Sequence, residues 1–456
     1  MEVPRAAWLG YYGWLPALIP ADARTFRLSD ETLAQVLAEA GAEIVAAESD
    51  VEIAEVDRLT GTGALAIATI DPSYREGGSL LVNGARRLGR SALARLAAAR
   101  ARRRLKAQGY GAVSVVLWDI DQFVHLPGGR EPDRRRIAEH LPQRALIVGR
   151  RGDARPTVLE GVAGEVSRLL GRTVSYEQPL AREGLAIALT DEHVLRVAIG
   201  PGRQKIELQR AALQRLSAAR PPPIVADRVP RILGSGKLGL GDWSAEDRLA
   251  GSAAPAELAP ELLAGCIDFL VALHGVEDRG ARASLAEDAE IVAASCRDAR
   301  GDVVRELGQT LDRELGHLPR GFGHGDFWTH NLLVEGNRLR GVIDWDAALP
   351  GRLPLIDLLH LLLSARREGT REYLGTALVG YQLPWAEAGG DDVVRSYCDR
   401  LGIELDADIL GRLVLAYWVS RVADELRTAP DRAQRRIWMR NNVELVLDAL
   451  AERPPR

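Results

Sequence analysis

The sequence of 456 residues is poor in cysteine and has no long apolar run. Its three cysteines, Cys266, Cys296 and Cys398, lie far apart with no CxxC spacing, which excludes a disulfide framework and a cysteine-based zinc site. Three scattered cysteines fit a reducing compartment. No run of about 18 apolar residues occurs, so no contact with a membrane interior is predicted. Residues 1–20 have an early Glu2 and are interrupted by glycine and proline, unlike a secretory signal, and we expect a cytoplasmic protein.

The chain also lacks an excess of positive charge. Lys and Arg total 59 against 63 Asp and Glu, a net charge of -4, so there is no global field that would attract nucleic acid. Nine basic and no acidic residues occur between Arg86 and Lys106, but without aromatic residues among them a solvated helix face is favoured over a nucleic-acid contact. With 46% hydrophobic and 27% charged residues, disordered, collagen-like and coiled-coil chains are excluded.

The pattern of apolar runs divides the chain into three predicted domains. Strands alternate with a long helix in residues 1–150, which indicates an α/β domain. A linker follows at Arg150–Pro156, and residues 157–255 combine a helix, a hairpin with its turn at Asp191–Glu192 and a second helix. Residues 256–456 are predicted to be largely helical. The segments with strand patterns are Leu65–Ile70, Ser79–Val82, Ala112–Trp118, Ala145–Gly149, Gly184–Thr190 and His193–Ile199. Those with helix patterns are Ala85–Gln108, Thr157–Leu170, Ala256–His274, Ala283–Cys296, Val303–Leu315, Leu355–Arg366, Asp391–Leu401 and Ile409–Leu426.

One polar segment interrupts the helical part. It reads His-Gly-Asp-Phe-Trp-Thr-His-Asn over residues 324–331, followed by two apolar runs around a Gly-Asn turn, which predicts a β-hairpin. Antiparallel pairing then puts Asn331 within about two positions of Asp344 across the ladder, with Asp326 in the loop before it. Two acids and an amide suit a magnesium ion, and Asp326 is left to orient or deprotonate a hydroxyl. The alternative is that Asp326 and Asn331 only cap turns.

The order HGD, four residues, Asn, hairpin, IDW resembles the catalytic loop and metal segment of the aminoglycoside phosphotransferase and choline kinase family, small-molecule relatives of the protein kinases. The resemblance implies a two-lobed kinase-like fold over residues 157–456 that uses ATP and Mg²⁺. It implies Asp326 as catalytic base, Asn331 and Asp344 as magnesium ligands, and His324 as an organiser of the loop. Asp357, in the helix after this segment, is expected to brace the loop, while Trp328 and His330 face the substrate or pack.

Upstream, residues 194–199 resemble the family strand that supplies a cation for the nucleotide phosphates. Arg196 stands where lysine is usual, and Glu207 in the next helix is its expected acidic partner, although Lys205 nearby is an alternative cation. A P-loop is excluded because the GxxxxGK[ST] pattern fails at Arg231 and Leu238. The position of Leu233–Trp243 fits the linker between lobes, where family members hold the adenine, and only Glu183-Gly184 offers a loop to cover the phosphates.

Residues 65–149 resemble the later half of a class I S-adenosylmethionine-dependent methyltransferase. The glycine-rich loop that such a cofactor site needs is missing, because only Gly10 and Gly13 occur in residues 1–30. We therefore expect a degenerate Rossmann-like domain that shapes or shields the kinase cleft. For the whole chain we expect an ATP-dependent phosphotransferase acting on a hydroxyl of a small molecule, with a sugar or amino sugar favoured. The alternatives are a choline, amino-alcohol or amino-acid kinase and a catalytically silent nucleotide-binding scaffold.

Overall fold

A six-stranded mixed sheet, a five-stranded antiparallel sheet, two small antiparallel sheets and a set of helices make up the computed structural model of the chain. The structure describes six strands and three helical residues within 1–150, and then residues 158–176, 180–182, 185–198, 202–238, 241–276, 283–370, 372–428 and 430–452. The chain divides into two compact units. One comprises Met1–Glu207 with Ile232–Arg248, and the other Leu208–Arg231 with Leu249–Arg456.

The first sheet has six strands in the order β2-β1-β3-β4-β6-β5. Strands β1 to β4 pair in parallel, whereas β6 runs antiparallel to both β4 and β5. Three of the predicted strands are confirmed, because β4 and β5 have the predicted bounds and β6 is one residue longer at each end. The predicted strand Ser79–Val82 and nearly all of the predicted helix Ala85–Gln108 lie outside the described residues. The strands are β1 (Arg5–Leu9), β2 (Arg24–Arg27), β3 (Ile44–Ala47), β4 (Leu65–Ile70), β5 (Ala112–Trp118) and β6 (Arg144–Arg150).

The second sheet has five antiparallel strands in the order β10-β11-β9-β8-β7. The predicted hairpin is confirmed as β8 and β9, and its turn is held by Thr190, whose Oγ1 accepts hydrogen bonds from the backbone N–H of His193 at 2.7 Å and of Glu192 at 3.3 Å. The elements here are α1 (Val158–Leu170), β7 (Leu180–Arg182), β8 (Leu185–Leu189), β9 (His193–Ala198), α2 (Gly202–Ala218), α3 (Pro223–Ala226), β10 (Ile232–Leu238) and β11 (Gly241–Asp247).

The interpretation of Leu233–Trp243 as a linker was wrong. This stretch lies in the β10–β11 hairpin, where Lys237 pairs with Asp242 and Gly236 with Trp243. The glycines give room to a side chain, since a Cβ on Gly236 would lie 3.2 Å from Nε1 of Trp243. Glycines in this stretch therefore make room for the indole ring of Trp243. From the sequence alone, glycines that pack against a ring cannot be distinguished from glycines in a loop.

The rest of the chain is largely helical, as predicted. All six helices predicted after residue 255 are present with shifted ends, but the short helices α8, α9, α12 and α13 were missed. The elements are β12 (Ser252–Ala253), α4 (Pro260–His274), α5 (Leu285–Ala294), α6 (Arg300–Glu314), β13 (Gly321–Gly323), β14 (Leu332–Glu335), β15 (Arg338–Val342), β16 (Leu349–Arg352), α7 (Leu355–Thr370), α8 (Leu374–Ala377), α9 (Leu383–Glu387), α10 (Asp392–Arg400), α11 (Ala407–Thr428), α12 (Arg436–Met439) and α13 (Leu445–Ala451).

Helix α11 lies at the centre of this helical part. It contacts α5, α7 and α9, and its large side chains Tyr417 and Trp418 are at most 1% exposed. Arg421 lies on this helix, and its side chain is 22% exposed. The three cysteines are free thiols, with Cys266 and Cys398 buried. Among the helices that the structure describes, none is long and apolar enough to span a membrane.

Candidate active site

The predicted hairpin forms and brings the polar residues together. Strands β14 and β15 pair with Leu332 opposite Val342, and the turn between them has Gly336 at φ +58°. One step beyond the ladder, the backbone N–H of Ile343 donates to the carbonyl of Asn331 at 2.9 Å. Asn331 therefore lies one residue from Asp344 across the hairpin, as the spacing predicted.

Asp344 has an unusual backbone conformation. It is one of two non-glycine residues in the described chain with positive φ, at φ 61° and ψ 67°. A left-handed conformation costs about 1 to 3 kcal/mol and persists where surrounding packing enforces it. That packing comes from the next residue, since Trp345 is fully buried and its Nε1 donates to the carbonyl of Val342 at 2.8 Å. The Trp of the IDW pattern thus anchors the turn that presents Asp344.

His324 links the loop to the hairpin. Its Nδ1 accepts from the backbone N–H of Asp326 at 3.2 Å, so the ring proton lies at Nε2, which donates to the carbonyl of Ile343 at 3.0 Å. The ring also packs edge-on against Trp345, with ring centroids 4.6 Å apart. His324 is fully buried. Its two hydrogen bonds therefore hold the backbone of Asp326 and of the residue before Asp344.

Asp357 of α7 braces the same loop, which confirms that expectation. Its carboxylate accepts from the backbone N–H of His324 at 2.7 Å and of Gly325 at 2.8 Å, and lies 3.0 Å from Nε2 of His274. Burial alone would raise the pKa of Asp357, but the hydrogen bond and charge of His274 outweigh it and lower the pKa to about 2. Gly325 is required at this point, because its φ is +82° and a Cβ would lie 2.4 Å from the carbonyl of Ala347.

Asp326 is the most heavily contacted acid of the loop. Nδ2 of Asn331 donates to its Oδ2 at 3.0 Å and to its carbonyl at 2.9 Å. Its Oδ1 lies 3.3 Å from Nε2 of His360 and 2.8 Å from Nη1 of Arg421. The side chain is 26% exposed, so one part of the carboxylate still faces outward.

The charges around Asp326 keep it ionised. Burial would raise its pKa, but the guanidinium of Arg421 and the hydrogen bond from His360 lower the pKa well below the usual range. Burial and the nearby Arg421 lower the pKa of His360, so this imidazole is neutral at pH 7, with Nδ1 facing the hydroxyl of Tyr417 at 3.1 Å. Asp326 is therefore ionised at neutral pH and is a weak base.

In the other unit, the predicted partner of Arg196 was wrong. Arg196 lies on β9 and forms a buried ion pair with Glu246 of β11, with Nε and Nη2 each 3.0 Å from Oε1. Glu207 is exposed on α2 and does not pair with Arg196. The reason is the register, since residues 246 and 194 are opposite each other on paired strands and the buried guanidinium reaches the acid on the neighbouring strand. Lys205 is half-buried on α2.

Comparison with known proteins agrees with this geometry. Residues 179–393 match the model of the phosphotransferase enzyme family (APH). In this segment the chain resembles that phosphotransferase family. The match spans the antiparallel sheet, the catalytic loop and the hairpin, and it agrees with the kinase-like fold expected for this part of the chain. No curated protein matches the chain.

Several solved structures resemble the chain. One is aminoglycoside phosphotransferase APH(3'')-Id from Streptomyces rimosus, with 18% identity over 57% of this chain and 98% of that one and a TM-score of 0.37. Another is a thermostable mutant of aminoglycoside phosphotransferase APH(4)-Ia, with 17% identity over 64% of this chain and 100% of that one and a TM-score of 0.43. A third is a putative fructosamine-3-kinase from Haemophilus somnus, with 10% identity over 63% and 96% and a TM-score of 0.43.

The phosphotransferase segment offers donor atoms that fit a magnesium ion. Among the described residues no group of three or more His, Cys, Asp and Glu could hold a metal. Magnesium does not need one, because it keeps waters and phosphate oxygens and takes one or two protein carboxylates. Since Nδ2 of Asn331 is directed at Asp326, its amide oxygen is the atom left for a cation, and Asp344 follows the residue that pairs with Asn331.

Sequence reasoning missed two residues of the sites described above. Arg421 was only part of a predicted amphipathic helix, and Glu246 was part of a stretch assigned to no element. Neither has a local motif, because each meets its partner through tertiary packing. Trp328 and His330, which were expected to face the substrate or to pack, stack on each other with ring centroids 4.3 Å apart. Glu183-Gly184, expected over the phosphates, lies outside the described residues.

Proposed function

We propose that the chain is an ATP-dependent phosphotransferase that transfers the γ-phosphoryl group to a hydroxyl of a sugar or amino sugar. The observation that carries this proposal is the position of Asn331 between the two acids. Its side chain donates to Asp326, and its backbone pairs with Ile343, the residue before Asp344. Turn capping alone would not need a second acid at the end of the hairpin. The family match of residues 179–393 supports the same class of reaction.

In the proposed reaction Asp326 receives the acceptor. The hydroxyl donates to its exposed carboxylate, and the hydroxyl oxygen bonds to the γ-phosphorus as the bond to the β,γ-bridging oxygen breaks and ADP leaves. The proton passes to Asp326 and then to solvent. Asp326 is a weak base, which suits a loose phosphoryl-transfer transition state in which positioning matters more than early proton removal. Asn331 and His360 hold the carboxylate in place during these steps.

The proposed magnesium ligands are Asn331 and Asp344. A magnesium ion bound there would neutralise the charge of the nucleotide phosphates. The left-handed backbone of Asp344 and the hydrogen bonds of Asn331 fix the two donor groups before any ligand binds. As cation for the phosphates we propose Arg196, with Lys205 as the alternative.

For residues 1–150 we propose a degenerate Rossmann-like domain, ahead of kinase-like lobes at 157–255 and 256–456. Its support is the parallel order β2-β1-β3-β4, as in doubly wound folds that place a ligand where the strand order reverses. The only glycines after β1 and before β2 are Gly10 and Gly13, which lie outside the described residues, and we propose that this domain has lost S-adenosylmethionine binding.

The test of the proposed function is a screen of the full-length protein with ATP and magnesium against sugars, aminoglycosides and amino alcohols. ADP release above the rate without acceptor is expected for at least one hydroxylated compound. Transfer is verified by finding the phosphate on that compound. A screen in which no compound raises ADP release, although ATP binds, would favour the nucleotide-binding scaffold.

A further inference from the structure

Arg421 is an unusual neighbour for the acid that receives the acceptor. Its Nη1 lies 2.8 Å from Oδ1 of Asp326, so a positive charge already neutralises the carboxylate. A cationic acceptor would normally be attracted to an unpaired acid at this place. Here it would instead meet a guanidinium whose side chain is 22% exposed. The pair therefore favours acceptors that do not bring a positive charge next to the reacting hydroxyl.

The donors of this region have unmet hydrogen-bonding capacity. Nε of Arg421 and Nε1 of Trp328 are buried and have no hydrogen-bond partner within the described part of the chain. The nearest acid to Nε of Arg421, Glu425, is 3.9 Å away and too far for a hydrogen bond. Both atoms are out of contact with solvent, so a bound acceptor meets the part of the Arg421 side chain that is exposed. An ammonium group carries only donors and cannot hydrogen-bond to a guanidinium there, whereas carboxylate and phosphate oxygens can.

The acids next to Arg421 are already paired. Glu425 forms an ion pair with Arg432, and Asp424 forms one with Arg427 at 2.7 Å. Neither carboxylate is therefore available as a counter-ion for a substrate ammonium. An ammonium placed here would gain little attraction and would still be repelled by Arg421.

The remaining groups that face the pair add positive charge. Arg367 of α7 acts on both His360 and Tyr417, and His360 itself is neutral because burial and Arg421 lower its pKa. Burial raises the pKa of Tyr417 to about 12, so its hydroxyl is also uncharged at neutral pH. Arg367 therefore adds a second positive charge to that of Arg421.

We propose that the acceptor carries a carboxylate or phosphate group close to its reacting hydroxyl, and that Arg421 is the specificity-determining residue that binds this group. This inference rests on the proposed phosphotransferase function and narrows its acceptor class from amino sugars to hydroxylated anions. In this arrangement Nη1 of Arg421 holds Asp326, and the exposed part of the side chain binds the anionic group.

The experiment compares hexoses that differ in one substituent. D-glucuronate, D-glucose 6-phosphate, D-glucose, N-acetyl-D-glucosamine and D-glucosamine are tested as acceptors with ATP and magnesium, and their binding is measured in parallel by calorimetry. We expect kcat/KM for at least one of the two anions to exceed that for glucosamine by about tenfold or more, as charge discrimination at one site allows. N-acetylglucosamine controls for the hydroxyl that glucosamine lacks, and the two anions separate a carboxylate from a phosphate site.

The variant Arg421→Gln should reduce that preference to about twofold or less, chiefly through KM for the anion, while Arg421→Lys keeps the order of acceptors. Arg412→Gln is the matched control, because Arg412 lies on the same helix and pairs with Glu314 at 2.6 Å. If Arg421→Gln does not fold, the order of acceptors for the unmodified protein decides. The proposal would be overturned if the protein prefers glucosamine to both anions, or if the preference for an anion remains in Arg421→Gln. It would also be overturned if the protein binds neither anion. If none of the five hexoses is phosphorylated, the wider acceptor screen decides the phosphotransferase proposal, while the order of binding affinities decides the charge preference.

Discussion

The carboxylate of Asp357 should stabilise the loop by an amount that can be measured. Asp357→Asn keeps the shape of the side chain but removes the charge that accepts from His324, Gly325 and His274. The pKa of Asp357 falls from 3.8 to about 2 on folding. At about 1.4 kcal/mol for each tenfold change in acidity, this corresponds to about 2 kcal/mol of stability. Losing a hydrogen bond to a charged group costs a similar free energy of unfolding, about 1.5 to 3 kcal/mol.

The sign of the pH dependence follows from the lowered pKa. A carboxylate with a lowered folded pKa contributes stability above its unfolded pKa, and that contribution is lost as the pH falls from 3.8 towards 2. The difference between the unmodified protein and Asp357→Asn should therefore be full at neutral pH and shrink below pH about 4.

Amide hydrogen exchange measures this loss of stability at the backbone N–H groups of His324 and Gly325. We expect peptides that contain residues 324 and 325 to exchange about 30-fold faster in Asp357→Asn, in proportion to about 2 kcal/mol. The control is Asp302→Asn, whose side chain on α6 is 83% exposed; its effect should stay within about 0.5 kcal/mol. Equal exchange in Asp357→Asn and the unmodified protein at pH 7 would refute the bracing role.

Three further predictions concern the nucleotide and the N-terminal part. Asp344→Ala should abolish magnesium-dependent binding of ATP in a calorimetric titration, and unchanged dependence on magnesium would place the metal ligands elsewhere. Arg196→Ala should destabilise the protein by about 3 to 5 kcal/mol, because it removes the ion-pair partner of the buried Glu246, and should raise KM for ATP, whereas Glu207→Ala should change stability by less than about 0.5 kcal/mol. A larger loss in Glu207→Ala would mean that the Arg196–Glu246 pair is not the stabilising one. The full-length protein should not bind S-adenosylmethionine in equilibrium dialysis at micromolar ligand, and saturable binding would make the protein bifunctional.

The hairpin of β14 and β15 could be predicted because the pattern that specifies it is local. The residues that place Asn331 beside Asp344 are a short turn and two apolar runs, and the alternation of side chains in a hairpin then determines the pairing. The brace by Asp357 was also predictable, since it lies at the start of the next helix. Loop, hairpin and helix follow each other in the chain, so no distant packing had to be known.

The partners that were missed come from distant parts of the chain. Arg196 and Glu246 are 50 positions apart and meet because β9 and β11 pair, although α2 follows β9 directly in sequence. Arg421 reaches Asp326 because α11 packs within the helical unit. The short helices after residue 370 escaped prediction for a local reason, since π turns at Leu378–Gln382 and Arg440–Glu444 interrupt the helical period.

Phosphoryl transfer by Asp326→Asn is the most direct test of the central claim. With an acceptor that the unmodified protein phosphorylates, the variant should transfer phosphate about 10² to 10⁴ times more slowly while ATP binding stays near normal, because the amide can no longer take the proton of the hydroxyl. Asp268→Asn, an exposed acid on α4 that pairs with Arg400, is the control and should leave the rate unchanged. Equal rates for Asp326→Asn and the unmodified protein would contradict the assignment of Asp326 as the residue that receives the acceptor.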